Sequence, residues 1–344
     1  MRRIRFDFGK LTGSRIVVLG AILYMIGACL YYAVVGVREK RETLFVFEGV
    51  RVGLLRVLQR YVHDPEAALL NGLLIGDVSG LPREMRDDFR KSGLGHIVAV
   101  SGYNVTKISG VVLVLLVGVG LSRRWAMVVA SLVLFLFLCV AGFSASLVRA
   151  VLMFGVGSVG YLLGRQVSSW RNVLYTAFCM MVIRWDWAVV DLGFCLSFLA
   201  IVGLGLYKDF FEKVFRFVPE TFGVRGVLAE TTAVFVMVTP FSLVVFGSVS
   251  MSAFVANVLV LPFVPFAMVG GVLMVIFSVI APVLAEIVGF VVRIILHEMI
   301  VVGYWFSLFG MWEFRLPVWV AIGWYVGQII FHRKIFIEAL WGRT

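Results

Sequence analysis

This sequence is short of charge. Only 15% of its 344 residues are Asp, Glu, Lys or Arg, against about a quarter in soluble domains, while 61% are hydrophobic and mean hydropathy is +1.02. That balance excludes a soluble globular protein. Cysteine is scarce as well. Cys29, Cys139, Cys179 and Cys195 lie far apart within apolar runs, with no Cys-x-x-Cys spacing, so they read as small buried residues rather than metal ligands or disulfides. There is no Gly-rich phosphate loop, no His-Glu-x-x-His and no Gly-x-Ser-x-Gly, so no catalytic, metal or cofactor site is expected and the chain does not read as an enzyme. The alternation of polar and apolar residues that builds an outer-membrane barrel is missing too.

What the sequence has instead is long apolar runs. A bilayer core of ~30 Å takes about 20 apolar residues per helical span. The first run, Ile16 to Val37, carries no charge and follows Arg2, Arg3, Arg5, Lys10 and Arg15. It is longer than the core of a cleaved signal peptide, and the Ile26-Gly27-Ala28-Cys29 segment, which could pass for a lipoprotein box, is followed by uninterrupted apolar chain, so the run is expected to be an uncleaved anchor. Further spans are expected at Ile97 to Leu121, Trp125 to Gly142, Leu147 to Gly164, Val173 to Val190, Gly193 to Tyr207, Val227 to Gly247, Met251 to Ile280, Leu284 to Leu308 and Val318 to Phe331. The expected fold is therefore an all-α polytopic membrane protein of about ten transmembrane helices with short interfacial amphipathic helices.

The formal net charge of +11 fits orientation before it fits a ligand. With a cytoplasmic N-terminus, the basic clusters Arg123-Arg124, Arg165 to Arg171, Lys208 to Arg225 and the tail His332 to Arg343 all fall inside, and Asp186, Asp191, Glu313 and Arg315 fall outside. Four segments follow: residues 1–37, basic terminus and anchor; 38–95, extracytoplasmic interfacial helices; 96–331, the polytopic domain; and 332–344, a cytoplasmic tail. Within 38–95, Leu54, Leu55, Leu58 and Val62 form a helical stripe opposite Arg51, Arg56, Gln59 and Arg60. His63-Asp64-Pro65 ends that helix, a second runs from Glu66 to Ile75 and stops near Gly76, and a third opens at Pro82 and closes at Gly93.

Several polar groups sit where lipid is expected. Ser101 and Asn104 share a helix face, and Lys107 lies about 60° around from Asn104. They could bond neighbouring helices or line a hydrated path, and Lys107 is too deep to snorkel easily. In Ala141 to Ala150, Gly142 marks a turn flanked by Ser144 and Ser146, and Arg149 begins the returning helix; its guanidinium suits either backbone carbonyls or a phosphate. Pro262 and Pro265 must bend or unwind their helix, for packing or for a gated path. Arg293, His297 and Glu298 share one span and read as a local ion pair.

In order along the chain, Asn71-Gly72-Leu73-Leu74-Ile75-Gly76-Asp77 resembles the "GLLLGD" segment of the ComEC-type competence proteins, and Ser92 to Gly102, with Gly93 and His96, resembles their "TGLxHLLAVSG". Gly142 to Ala150 resembles "G-x-x-x-S-x-x-R-A", Gly193 to Phe198, with Ser197, resembles "GFQLSF", and Ala256 to Pro262, with Asn257, resembles "ANLLxxP". The family has Leu-His where Tyr103-Asn104 stand and Gln where Cys195 stands. The resemblance covers residues 64 to about 330 and has no room for the OB-like and metallo-β-lactamase-like domains of many members, so a membrane-only member is expected. It implies a bacterial inner-membrane channel for single-stranded DNA in natural transformation, with both termini cytoplasmic. Lys107 and Arg149 would then touch phosphates, Ser101, Asn104, Ser144 and Ser146 would line the path, and Pro262 and Pro265 would mark a gate. Implied partners are single-stranded DNA, membrane lipid, a separate DNA receptor, a nuclease, a helicase-like ATPase and further copies of the chain. The alternative is a transporter or lipid-handling protein on the same fold without DNA passage.

Overall fold

The computed structural model describes residues 47–98, 102–165, 169–183, 191–220 and 223–331. Over these the chain is all-helical apart from one pair of two-residue strands. Helix α1 (Glu48–Tyr61) carries Glu48 in its first turn and Arg60 in its last, each complementing the helix dipole. Its expected stripe is its packing face: Leu58 and Val62 are buried and Leu54 and Leu55 pack against them, while Arg56, Gln59 and Arg60 are exposed. Helix α2 (Glu66–Ile75) ends at Gly76 in the left-handed conformation, and α3 (Arg83–Lys91) follows Pro82, both as the sequence predicts.

Helix α2 is enclosed by protein. All ten of its residues are buried, Glu66 and Asn71 included. The reason is compositional: Glu66 to Ile75 has no polar face, and a helix apolar all round is enclosed all round. It is a core element packed against α1, the turn α4 (Gly95–Val98), α12 (Val264–Ile280) and α13 (Pro282–Ser307), and it shares their hydrophobic cluster with α3 and α11 (Ala253–Val260). Gly72 allows its contact with α4, since a Cβ there would fall 2.1 Å from the Val98 carbonyl oxygen. Two side-chain bonds fasten α13 to this group. His297 Nδ1 donates to Glu66 Oε1 at 2.9 Å, and Ser307 Oγ donates to Asp88 Oδ1 at 2.8 Å. The local pairing expected for Arg293, His297 and Glu298 is therefore corrected: the histidine turns to α2, and Arg293 and Glu298 are exposed with no partner among the described residues.

A second core joins α5 (Gly102–Gly118), α6 (Arg123–Ala141), α7 (Ala145–Leu162), α8 (Ser169–Ile183) and the start of α9 (Leu192–Val214), with Leu134, Leu147, Met180 and Phe198 inside it. Ile108 packs against both cores. Helix α9 pairs with α10 (Val224–Val245) through the Lys208–Glu230 ion pair. Arg123 lies 5.4 Å over the Tyr161 ring, bringing the start of α6 to the end of α7, as two ends on one membrane side require. Strands β1 (Ser248–Val249) and β2 (Trp312–Glu313) pair antiparallel ahead of the last helix, α14 (Val318–Phe331).

Four helices are long and apolar enough to cross a membrane, Arg123–Ala141, Ala145–Leu162, Leu192–Phe217 and Val224–Val245, and the pair α11 and α12, bent by 40°, makes a fifth if it is one span. The count of about ten is not reached among the described residues. Helices α5, α8 and α14, with 17, 15 and 14 residues, fall short of the ~20 a span requires, and the expected anchor Ile16 to Val37 lies outside the described residues. Among the described residues Cys139, Cys179 and Cys195 form no disulfide.

Candidate functional site

Three segments far apart in sequence meet at Arg149. The turn between α6 and α7 is built by Gly142 at φ 94° and by Ser144, whose hydroxyl accepts from the Leu147 amide at 3.4 Å and so caps α7. One residue into α7, Ser146 Oγ accepts from the Gly102 amide at 3.2 Å, clasping the first residue of α5. Arg149 follows in the same turn of helix and is 8% exposed. Its guanidinium reaches the same glycine: a Cβ on Gly102 would lie 2.5 Å from Nη2, so only glycine leaves the arginine room. From the other side Phe198 of α9 offers its ring, 6.0 Å from the Arg149 Cζ. Helix α9 is aimed there by Asp191, whose carboxylate accepts from the Phe194 amide at 2.7 Å, and Phe194 stacks on Phe198 with centroids 4.4 Å apart.

Despite this company, Arg149 Nη1 is buried and finds no hydrogen-bond acceptor among the described residues. A buried cation without an acceptor loses its hydration for little return, and such groups are either paired or functional. The carbonyl-clamp alternative open in the sequence is not met among the described residues.

The remaining sequence candidates divide. Ser101 lies outside the described residues, as do the side chains of Asn104 and Lys107, although α5 carries their backbone beside the clasp. Ser197 and Gly193 sit in the first turns of α9, near Phe198. Gly72, Gly76, Gly93 and Asn257 belong to the α2 core instead, with Gly93 against Ala253 of α11. Asn71 and Asn257 there each bury an amide oxygen that no described group satisfies. His96 is exposed and its Nδ1 donates to the Gly93 carbonyl at 3.1 Å, which holds the turn before α5. Pro262 and Pro265 lie in and just after the break between α11 and α12, where the sequence expects a bend.

Asp77 ties the α2 C-terminus to α1. Burial pushes its carboxyl up, but hydrogen bonds from the Ser79 hydroxyl (2.7 Å) and amide (3.0 Å), with Arg51 at 3.6 Å, outweigh this and hold it below its ordinary value. Sequence reasoning missed Phe198 as the partner of Arg149 and Glu66 as the partner of His297. The signal for Phe198 was present in the Gly193 to Phe198 motif, which was not connected to the arginine turn.

Comparison with known proteins adds three findings. The family described as "Competence protein" matches residues 73–335. ComE operon protein 3 of Bacillus subtilis (strain 168) is 27% identical over 170 residues, 48% of this chain and 21% of that protein. YcaI of Escherichia coli (strain K12), described as an uncharacterized protein, is 24% identical over 229 residues, 62% of this chain and 29% of its own length. The matches thus span less than a third of either relative's length. No solved structure matches the chain.

Proposed function

This chain belongs to the competence-protein family, and from that premise we propose that it is a non-catalytic channel passing single-stranded DNA across the bacterial plasma membrane during natural transformation. The observation that carries the reading is the buried Arg149 guanidinium, set against Gly102 and the Phe198 ring with one nitrogen unpaired. A fork of cationic donors matches a phosphodiester, and an aromatic ring beside it matches the way single strands are held by stacking and charge together. Lys107, Ser101 and Asn104 would extend the wall along α5, Ser146 would set it against α7, and the break at Pro262 and Pro265 would act as the gate.

In this account residues 1–37 anchor the chain, 38–95 cover the outer mouth, 96–331 form the path and 332–344 lie in the cytoplasm with the N-terminus. About ten spans are reached once the short apolar helices cross together with the segments flanking them. Strand capture, degradation and pulling fall to a separate receptor, nuclease and helicase-like ATPase, with membrane lipid and further copies of the chain around the path.

The test is uptake of labelled DNA by a naturally competent host that lacks its own channel. Uptake restored by the chain, and weakening as salt rises because cations hold the phosphates, supports the channel. No uptake at good membrane abundance and beside its native neighbours would sink it and favour the transporter or lipid-handling alternative.

A further inference from the structure

Away from Arg149, three segments enclose an open cleft of about 380 Å³ lined by Arg90, Phe246, Gly247, Ser248, Glu313 and Arg315. An adjoining hollow of about 210 Å³ shares Arg90 and Glu313 and adds Lys91, Asp87 and Met311. The first volume lies in the ~300–1,000 Å³ range of small-ligand pockets.

Its walls are fixed. Helix α3 is fastened to α13 by the Ser307–Asp88 bond, and Ser248 pairs with Glu313 across the two short strands. The Phe314 amide donates to the Gly247 carbonyl at 3.0 Å, and the Ser252 hydroxyl donates to the Phe306 carbonyl at 3.1 Å. The charged groups on these walls are uncommitted. Among the described residues Arg90, Lys91, Arg315, Asp87 and Glu313 form no side-chain hydrogen bond or ion pair with one another or with anything else. Three cations against two carboxylates leave a net positive mouth, and Phe246, half exposed, gives it an aromatic face. The charge bias that puts residues 208–225 in the cytoplasm puts all three segments on the opposite side.

The geometry points to this cleft as the landing site where the phosphodiester backbone of an incoming single strand first docks, with Arg90 and Arg315 on phosphate oxygens and Phe246 under a base. This assignment rests on the DNA-passage reading above and adds the entry point. Free guanidinium forks take phosphate oxygens in pairs, and a ring with one open face accepts any base. Glu313 lines the same cleft as the arginines and is a repulsive element that keeps the bound strand from being held too tightly to move on.

The experiment is titration of the full chain, in phosphatidylcholine nanodiscs, with a fluorescein-labelled single-stranded oligothymidylate across a salt series. The double variant Arg90→Gln/Arg315→Gln is expected to bind about tenfold more weakly at low salt, with a log–log salt slope shallower by about 1.4, the share of two phosphate contacts on a single strand. Arg90→Lys/Arg315→Lys keeps the slope, and Arg123→Gln, which is outside the cleft lining, binds as the parent does. Glu313→Gln binds more tightly, because the occupant is an anion. A double glutamine variant with unchanged affinity and slope, or a weakened Glu313→Gln, overturns the landing site. So does binding abolished by adding phosphatidylglycerol to the nanodiscs, which would give the cleft to lipid headgroups. If the parent binds no strand and restores no uptake, the DNA reading itself fails; if it restores uptake while the double variant binds unchanged, the cleft alone fails.

Discussion

Among the described residues two charged side chains are buried, and they are treated differently. Glu66, in the enclosed helix α2, has a partner brought from the far end of the sequence, His297 at 2.9 Å. Arg149, in the second core, has an aromatic ring, a glycine and one nitrogen with no acceptor among the described residues. A buried charge with a built partner fixes how helices pack; a buried charge left short of partners is retained for something other than stability. The first core is thus a frame, and the second holds the site.

The sharpest way to break the frame is at its closest approach. Gly72→Ala puts a Cβ 2.1 Å from the Val98 carbonyl oxygen, and because that oxygen is backbone the helices must part. Overpacking of this kind costs about 1–3 kcal/mol or more, and the expected outcome is the largest fall in thermal stability and membrane abundance of any variant here. Next comes an asymmetry at the His297–Glu66 hydrogen bond. His297→Ala leaves the Glu66 carboxylate buried alone and is expected to cost about 3 kcal/mol in detergent unfolding, whereas Glu66→Gln keeps an acceptor for His297 and costs about 1. Equal losses from the two would mean the pair is not what holds α13 to α2.

Gly102→Ala sharpens the other side. Its Cβ would meet the far end of a flexible side chain, Arg149 Nη2 at 2.5 Å, so the arginine can move aside. Stability should change by less than about 1 kcal/mol, while DNA uptake falls, since the guanidinium is displaced from its place between α5 and Phe198. The smallest effect belongs to Asp77. Its carboxyl titrates below its ordinary value in the folded chain, so its stabilising contribution is complete above that value and is lost as pH falls through the lower one. Comparing the parent with Asp77→Asn at neutral pH and at pH 3 should show a gap of less than about 1 kcal/mol that closes on acidification.

Much of the frame was legible in local pattern. The stripe of α1, the stops at His63-Asp64-Pro65 and Gly76, the start at Pro82 and the bend at Pro262 all follow from spacing, capping and proline chemistry, and all are found. The enclosure of α2 was not read in advance, although Glu66 to Ile75 has no polar face and its composition carries the signal. Partnerships were not legible in the same way. Periodicity places a residue on a helix face but says nothing of which helix it meets, so Phe198 beneath Arg149 and Glu66 beneath His297 needed the fold.

The central claim is that Arg149 is kept for function at no gain in stability, and Arg149→Met tests it most directly when uptake and unfolding are measured on the same membrane preparation. Replacing a buried, partly unpaired charge by an apolar side chain of similar length is often neutral or stabilising. The account predicts a melting temperature equal to or above that of the parent together with loss of DNA uptake. Uptake at the parent level, or a melting temperature that falls along with it, would contradict the account and make Arg149 one more piece of the frame.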